Sequence, residues 1–452
     1  MLPGRVLIGR RVGRASDPWT HGAPAVRPDT AAMLLLGLAV IVVLARLLGA
    51  LARRLGQPAV IGEIVGGILL GPTLFDGAIT RAVFPAAVRP SLATLATIGV
   101  CTFMFLVGLE LNRDLLRGQA RIATTVSLSA ILLPFGLGAL LALHLLDNHP
   151  SDHELGFVLF LGTAMSITAF PVLARILTDR GLMYTPIGGL ALACAAVDDV
   201  LAWSMLAAVA AVVVDGDAEP WRVLLVVPFV AVMLGVVRPL LARLARRLTA
   251  DGRLAGVGVL VAVSVGLLLS AKATEWMGLH AIFGAFLFGV AMPRPGASAL
   301  RTHALPWIER ICSVLLIPVF FVVAGLAVDL SSLNTTALGE LGLILLVAIG
   351  GKVVGALAGA RAVGVPFRHS AVLAILVNTR GLTELIVLTV GLQLGVLDGD
   401  LYSLLVVMAL VTTAMAGVLL PFVYPAERVR VDEASREDSA ATTLFRSRPL
   451  SR

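Results

Sequence analysis

The stretch ACAAVDDVLAW, residues 193–203, sets Asp198 and Asp199 side by side in a run that is otherwise apolar from about Pro186 to Val213. A helix over that run, rising about 1.5 Å per residue, carries both carboxylates near its middle. A charge at the centre of a bilayer costs roughly 2.5–3.5 kcal/mol on insertion scales. The pair therefore needs partners elsewhere in the chain, a function that repays its cost, or both. Whether the run crosses a membrane at all is decided by the rest of the sequence.

Of the 452 residues, 58% are hydrophobic and 14% charged, against roughly 25% charged in an ordinary soluble domain. Mean hydropathy is +0.97. Apolar runs of the roughly 17–25 residues that cross a bilayer recur along the chain. They are 31–50, 58–75, 91–109, 122–145, 155–177, 186–213, 222–245, 254–271, 278–292, 307–327, 338–360, 369–394 and 401–424. The chain reads as an all-α polytopic membrane protein of about 13 transmembrane helices over residues 31–424. The ninth run is short, and its Gly284 and Gly289 predict close packing against a neighbouring helix.

Residues 1–30 read as a disordered extension, rich in arginine and without the apolar core and cleavage site of a secretory signal. The apolar pattern begins near Met33, an alternative start to Met1. Residues 425–452 read as a short polar cytoplasmic tail, too short for a folded regulatory domain.

A net charge of +7 would suggest nucleic acid in a soluble protein, but here the arginines segregate into alternate loops, as orientation in a membrane requires. One set of loops holds Arg46, Arg53, Arg54, Arg113, Arg117, Arg121, Arg175, Arg180, Arg238, Arg243, Arg246, Arg247, Arg253, Arg294, Arg301, Arg310, Arg361 and Arg368. The other set holds only Arg81, Arg89, Arg222 and Lys272, and three of its loops read acidic: DNHPSDHE, DGDAEP and DGD. The expected site is the cell membrane, with a cytoplasmic C-terminus and no nucleic-acid partner. Cys101, Cys194 and Cys312 lie within apolar runs at no paired or metal-ligand spacing, and read as packing residues.

The first six and last six runs can form two halves of opposite orientation about the seventh. Run five carries TAMSITAFPVLARIL, with Thr163, Ser166 and Thr168 beside Pro171. Its counterpart, run twelve, carries VNTRGLTELIVL, with Asn378, Thr379, Arg380, Gly381 and Glu384. Proline removes a backbone donor and glycine weakens helix, so both segments are candidates for unwinding at membrane depth. Unwound backbone there is tolerated only where it faces protein or water, and paired interruptions point to a binding site. The bland alternative is a pair of kinked packing helices.

The chain has two lysines, and Lys352, in GGKVVGALAGAR, lies inside run eleven. Arg361 marks the end of that run, which leaves Lys352 roughly 13 Å deeper, beyond comfortable snorkelling. It wants an anion, and the aspartates want a cation. Adjacent helical residues point about 100° apart, so one lysine serves one carboxylate while the other faces a water-accessible cavity. A free carboxylate there can hold a proton or give oxygen ligands to an alkali ion, and competition between the two is the minimal chemistry of exchange. The plain alternative is a structural ion pair with a spare aspartate.

The remaining charges are weaker signals. Arg380 and Glu384, four apart on one helical face, read as a structural pair that holds the interrupted helix, with Asn378 a structural polar residue beside them. Glu63 either lines an entrance or packs against a polar neighbour, Glu110 closes run three at the interface, and His280 reads as a hydrogen-bonded structural histidine rather than a pH sensor.

In these residues the chain resembles the monovalent cation:proton antiporter superfamily, whose branches include bacterial sodium/proton antiporters and plant and fungal cation/proton exchangers. The stretches QPAVIGEIVGGILLGPT, FLVGLEL, SITAFPVLARIL, AAVDDVLAW, HAIFGAFLFGVAMPR, IPVFFVVAGLAVDL and NTRGLTELIVL carry the likeness, in that order, across most of residues 31–424. The resemblance implies inverted repeats with two crossing unwound helices and an elevator mechanism, in which a core domain moves against a dimerisation domain of a homodimer in the lipid. It implies that Asp199 carries ion and proton, that Asp198 partners Lys352, and that Thr168 occupies the unwound crossover, with Ser166 and Thr163 beside it. Paired aspartates with a membrane lysine resemble electrogenic members, while the wording of AAVDDVLAW and NTRGLTELIVL resembles exchangers linked to potassium, so the transported alkali cation is Na+ or K+. The short tail departs from the relatives with large C-terminal domains, and gating by such a domain is not expected.

An intramembrane aspartyl protease would carry its aspartates on separate helices, one of them in a Gly-x-Gly-Asp setting, which no run contains. A channel would need a continuous cation path that a midplane lysine obstructs. No nucleotide or dinucleotide fingerprint is present, so no cofactor and no enzymatic activity are expected.

Overall fold

The computed structural model describes residues 28–110, 120–182, 185–213, 225–243, 255–277, 279–292, 305–331 and 334–425. Residues 28–30, expected to end the N-terminal extension, already form the first turn of a helix. Residues 1–27 and the expected tail from 426 onward lie outside the described residues.

Every regular element among the described residues is helical, as a lipid setting demands of a chain whose backbone groups must be satisfied within each segment. In chain order these are α1 (Pro28–Arg54), α2 (Ala59–Leu70), α3 (Ala78–Val83), α4 (Arg89–Glu110), α5 (Ala120–Leu145), α6 (Glu154–Ser166), α7 (Phe170–Asp179) and α8 (Pro186–Val213). There follow α9 (Val226–Arg243), α10 (Ala255–Trp276), α11 (Ala281–Ala291) and α12 (Leu305–Leu326). The last are α13 (Thr335–Ala362), α14 (Phe367–Val377), α15 (Leu382–Gln393) and α16 (Gly399–Val423).

Each expected apolar run holds a helix or an interrupted helix. Among the described residues, eight helices are long and apolar enough to cross a membrane, nine when the bent pair α14–α15 counts as one, and three more apolar helices are shorter. The count of 13 goes beyond what length and apolarity alone establish.

The helices pack as two groups. One contains α1, α2, α4 and α9 to α12; the other contains α5 to α8 and α13 to α16. Contact within each group is extensive, whereas the groups meet chiefly where α12 touches α15 and α2 touches α16. The short α11 is held as its glycines suggested: a Cβ on Gly284 would lie 2.0 Å from the Ser270 carbonyl oxygen of α10, and one on Gly289 would lie 2.2 Å from that of Phe105 in α4.

In the second group the closest partners are α5 and α13. A Cβ on Gly355 would stand 2.4 Å from the Ser129 carbonyl oxygen, so backbone meets backbone there. That approach brings Lys352, one turn earlier on α13, fully into the interior.

A candidate ion-binding crossover

Two helices of the second group are broken at the places where the sequence carries proline and glycine. The first stops at Ser166, runs extended through Ile167 and Ala169, and resumes at Phe170 with Pro171 in the opening turn of α7. Proline is tolerated there because first-turn N–H groups have no helical acceptor anyway. The second stops at Val377 and resumes at Leu382, with the axes of α14 and α15 bent by 43°. Gly381 turns the chain with φ +154°, which disfavours any residue bearing a Cβ.

The two breaks cross. The Ala169 N–H donates to the Thr379 carbonyl at 3.0 Å. Thr168 Oγ1 lies 2.8 Å from the Val377 carbonyl oxygen and 2.6 Å from Asp198 Oδ2, and its single proton serves one of them at a time. Asp198 and Asp199 come to the crossing from α8, 0% and 2% exposed.

The charges around the crossing follow the ends of the broken helix. The last carbonyls of α6 lack donor partners within the helix and carry its negative dipole end. Arg380 Nη1 donates to the Ala164 carbonyl at 2.6 Å, and its Nη2 donates to that of Met165. Lys352 Nζ donates to the next carbonyl, that of Ser166, and stands 3.3 Å from Asp198 Oδ2. Three consecutive carbonyls of α6 are thus capped by two cations from the second half of the chain. At the opposite side of the break the Phe170 N–H, at the positive end of α7, hydrogen-bonds the Asp199 carboxylate.

Arg380 Nη1 also meets Glu384 Oε2 at 2.9 Å, both side chains wholly buried. The Thr163 and Ser166 hydroxyls donate within their own helix, to the Leu159 and Thr163 carbonyls at 2.7 and 2.8 Å. Several buried polar atoms have no protein partner: Asp198 Oδ1, Asp199 Oδ1, both amide atoms of Asn378, Arg380 Nε and Glu384 Oε1. Leaving a buried polar group unpaired costs roughly 2–7 kcal/mol, so such a concentration of open valences in one place is suited to water or an ion.

The crossover therefore brings together Asp198, Asp199, Thr168, Ser166, Lys352, Asn378, Arg380 and Glu384, with Thr163 one turn back along α6. Other charged candidates stay apart from it. Glu63 is half-buried on α2, in the other group, and Glu110 is the last residue of α4. His280 caps α11, its Nδ1 accepting from the Ile282 N–H, while Nε2 lies 3.1 Å from Gln393 Oε1. All three cysteines are buried and free.

One cluster escaped the sequence reading. His149, on the connection between α5 and α6, lies 2.5 Å from Asp398 Oδ2 through Nδ1 and 3.1 Å from Glu340 Oε2 through Nε2. The cluster borders a cavity of about 260 Å³ lined also by Asn148, Asp329 and Asp400. The only signal for it was the acidic, histidine-bearing character of DNHPSDHE and DGD.

A helical membrane protein whose two broken helices cross beside a buried carboxylate pair and a lysine belongs, as a class, with ion-coupled secondary transporters. The chain is a member of the sodium/hydrogen exchanger family, whose transmembrane model matches residues 39–424. It is 41% identical to the Na+/H+ antiporter NhaS4 of Synechocystis, over 88% of this chain and 98% of that protein. It is 37% identical to cation/H+ antiporter 20 of Arabidopsis thaliana and 30% identical to K+/H+ antiporter 1 of Saccharomyces cerevisiae, over 88% and 86% of this chain. The chain spans 49% and 46% of the length of those two proteins. Its fold matches that of the sodium proton antiporter of Methanocaldococcus jannaschii with a TM-score of 0.63 at 16% identity, covering 88% of this chain and 98% of that one. The chain is thus a multi-pass membrane protein of the cation/proton antiporter kind.

Proposed function

We propose that this chain exchanges Na+ or K+ for protons across the cell membrane by an elevator-type movement, with Asp199 as the carrier of both. The observation that carries the reading is the division between the two aspartates. Each carboxylate keeps one oxygen unpartnered, but Asp198 has its charge met by Lys352 at 3.3 Å, whereas Asp199 has no ion-pair partner among the described residues.

Charge accounting explains why such a site couples two ions. With Asp198 and Lys352 cancelling, and Arg380 cancelling Glu384, the empty crossover carries the single negative charge of Asp199. Moving that charge through a low-dielectric passage is costly. A proton or an alkali cation on Asp199 removes the cost, and one carboxylate does not easily hold both. Movement is thereby favoured for the loaded states, and the two ions exchange.

The sparse contact between the two helix groups supports a core (α5 to α8, α13 to α16) that moves as a unit against the other group. Thr168, Ser166 and Thr163 lie along the break and offer oxygen lone pairs to the site, while Arg380 and Glu384 hold the interrupted helix. In the other group, α1 and α9 leave most of their apolar surface uncovered, which supports a homodimer built on that group. The arginine-rich loops orient the C-terminus to the cytoplasm. Relatives named for Na+ and for K+ support both alkali ions as substrates.

The test is transport by purified protein in liposomes carrying an imposed pH gradient. Addition of Na+ or K+ collapses the gradient, and Asp199→Asn abolishes the response. Cation current without proton coupling, or exchange that survives Asp199→Asn, overturns the proposal.

A further inference from the structure

Asn378 is the one polar side chain of the second break that bonds to nothing. It caps the end of α14, and its backbone N–H reaches the Ala374 carbonyl at 3.2 Å. Its side chain is 1% exposed, and neither amide atom has a partner. Its neighbours behave otherwise. Thr379 Oγ1 donates to the Leu376 carbonyl at 2.8 Å, and Arg380 is engaged by two carbonyls and Glu384. An amide buried only to hold the backbone would be satisfied in the same way, since burying a polar group without a hydrogen bond is costly.

The place of Asn378 in the crossing says what it waits for. The residues on either side of it, Val377 and Thr379, give their carbonyls to Thr168 and Ala169. The next residue along that strand of contacts, Phe170, holds the Asp199 carboxylate. The open amide and the open oxygen of Asp199 therefore belong to the same crossing of two unwound segments. The hydroxyl protons of Thr163 and Ser166, by contrast, are spent within α6.

Alkali ions take oxygen ligands, and the balance of charged to neutral carbonyl-type oxygens around the ion influences which of them is preferred. A proton on a carboxylate needs no such set. Resting on the exchange reading above, we infer that Asn378 supplies a neutral amide-oxygen ligand to the transported cation beside Asp199 and sets the preference among alkali ions. It acts on the cation half of the exchange.

The experiment titrates Li+, Na+, K+ and Rb+ against full-length protein in liposomes, reading collapse of the pH gradient. Asn378→Ala raises the half-saturating cation concentration about tenfold, the effect of losing one ion–dipole ligand, while the maximal rate falls much less. Asn378→Ser, with a shorter oxygen donor, changes the order of preference among the four ions. Half-saturation within twofold of the unsubstituted protein for every ion in both variants overturns the inference. So does a loss of rate with half-saturation and preference order unchanged, the pattern of a structural residue. Where Asn378→Ala fails to fold, Asn378→Gln carries the test, and an unaltered preference order counts against the inference. An unsubstituted protein that collapses no gradient with any of the ions defeats the exchange reading itself, and this inference with it.

Discussion

Lys352 Nζ and Asp198 Oδ2 stand 3.3 Å apart, and neither side chain has any exposure. The same ammonium donates to the Ser166 carbonyl at the end of α6, so it serves an ion pair and a helix terminus together. Removing one partner of a buried pair leaves the other charge uncompensated, at a cost of roughly 3–5 kcal/mol. Lys352→Met is expected to lower the thermal unfolding midpoint of the detergent-solubilised protein strongly. Lys352→Met combined with Asp198→Asn recovers part of that loss, because no bare charge remains, while the uncapped Ser166 carbonyl keeps the recovery incomplete. A double variant no more stable than Lys352→Met alone would show that the pair does not hold the crossover.

Asp199→Asn separates transport from stability. Asp199 is 2% exposed with one oxygen unpartnered, and a neutral amide of the same shape is cheaper to bury than a carboxylate. The variant is expected to unfold at the same temperature as the unsubstituted protein or higher, yet to show no cation-driven proton flux. Asp198→Asn takes the anion from Lys352 and is expected to lower the midpoint. Equal destabilisation by the two substitutions would contradict the division between the carboxylates.

His149 gives the protein an alkaline stability limit. Its hydrogen bond with Asp398 pushes its pKa up to about 9 against the opposing pull of burial, with Glu340 adding to the rise. Burial alone would raise the Asp398 carboxyl, but hydrogen bonds from His149 and the backbone N–H groups of Leu401 and Asp400 outweigh it and hold the group below its usual range. A histidine whose folded pKa exceeds its ordinary 6.5 stabilises fully below that ordinary value and loses the contribution as pH rises through about 9. The Asp398 contribution runs the other way, present above its ordinary 3.8 and lost as acid protonates it. Unfolding midpoints of the protein and of His149→Gln, measured from pH 6 to pH 10, are expected to differ most at the acid end of that range and to converge above about 9. A constant gap across that range would mean that the ion cluster contributes nothing.

Much of this molecule is written locally and much is not. Helices over the apolar runs follow from lipid as solvent, and both breaks were readable from Pro171 and Gly381 and the polar residues around them. Helical periodicity required Lys352 to choose one aspartate but did not say which; family resemblance named Asp198, and the contact with α13 now displays that pairing. The capping of three α6 carbonyls by Arg380 and Lys352 was not legible, because it joins residues 186 to 216 positions apart through a crossing that no local pattern encodes. Arg380 accordingly looked like a partner for Glu384 alone. His149, Glu340 and Asp398 were hidden for the same reason, each unremarkable in its own loop or helix end. The open amide of Asn378 was not legible either, because a polar residue beside a break is expected to satisfy the freed backbone, and only the packed structure reveals that neither amide atom does so.

Gly381 sets the second break through two separate constraints, and they can be told apart. Its φ of +154° is disfavoured for any L-residue with a side chain, a strain of roughly 1–3 kcal/mol. Independently, a Cβ there would lie 2.6 Å from Val172 Cγ2 on α7, the other broken helix. Gly381→Ala therefore pushes the two breaks apart and disturbs the neighbouring Arg380, whose guanidinium caps Ala164 and Met165. The expected result is a lowered unfolding midpoint and a reduced exchange rate, with alkali-ion preference kept because Asn378 and Asp199 are unchanged. Adding Val172→Ala removes the clash but leaves the backbone strain, so the double variant regains only part of the lost stability. Full recovery would assign the whole constraint to the side-chain contact and none to the turn. No loss in Gly381→Ala itself would mean that the break is held from elsewhere, with Arg380 the first residue to suspect.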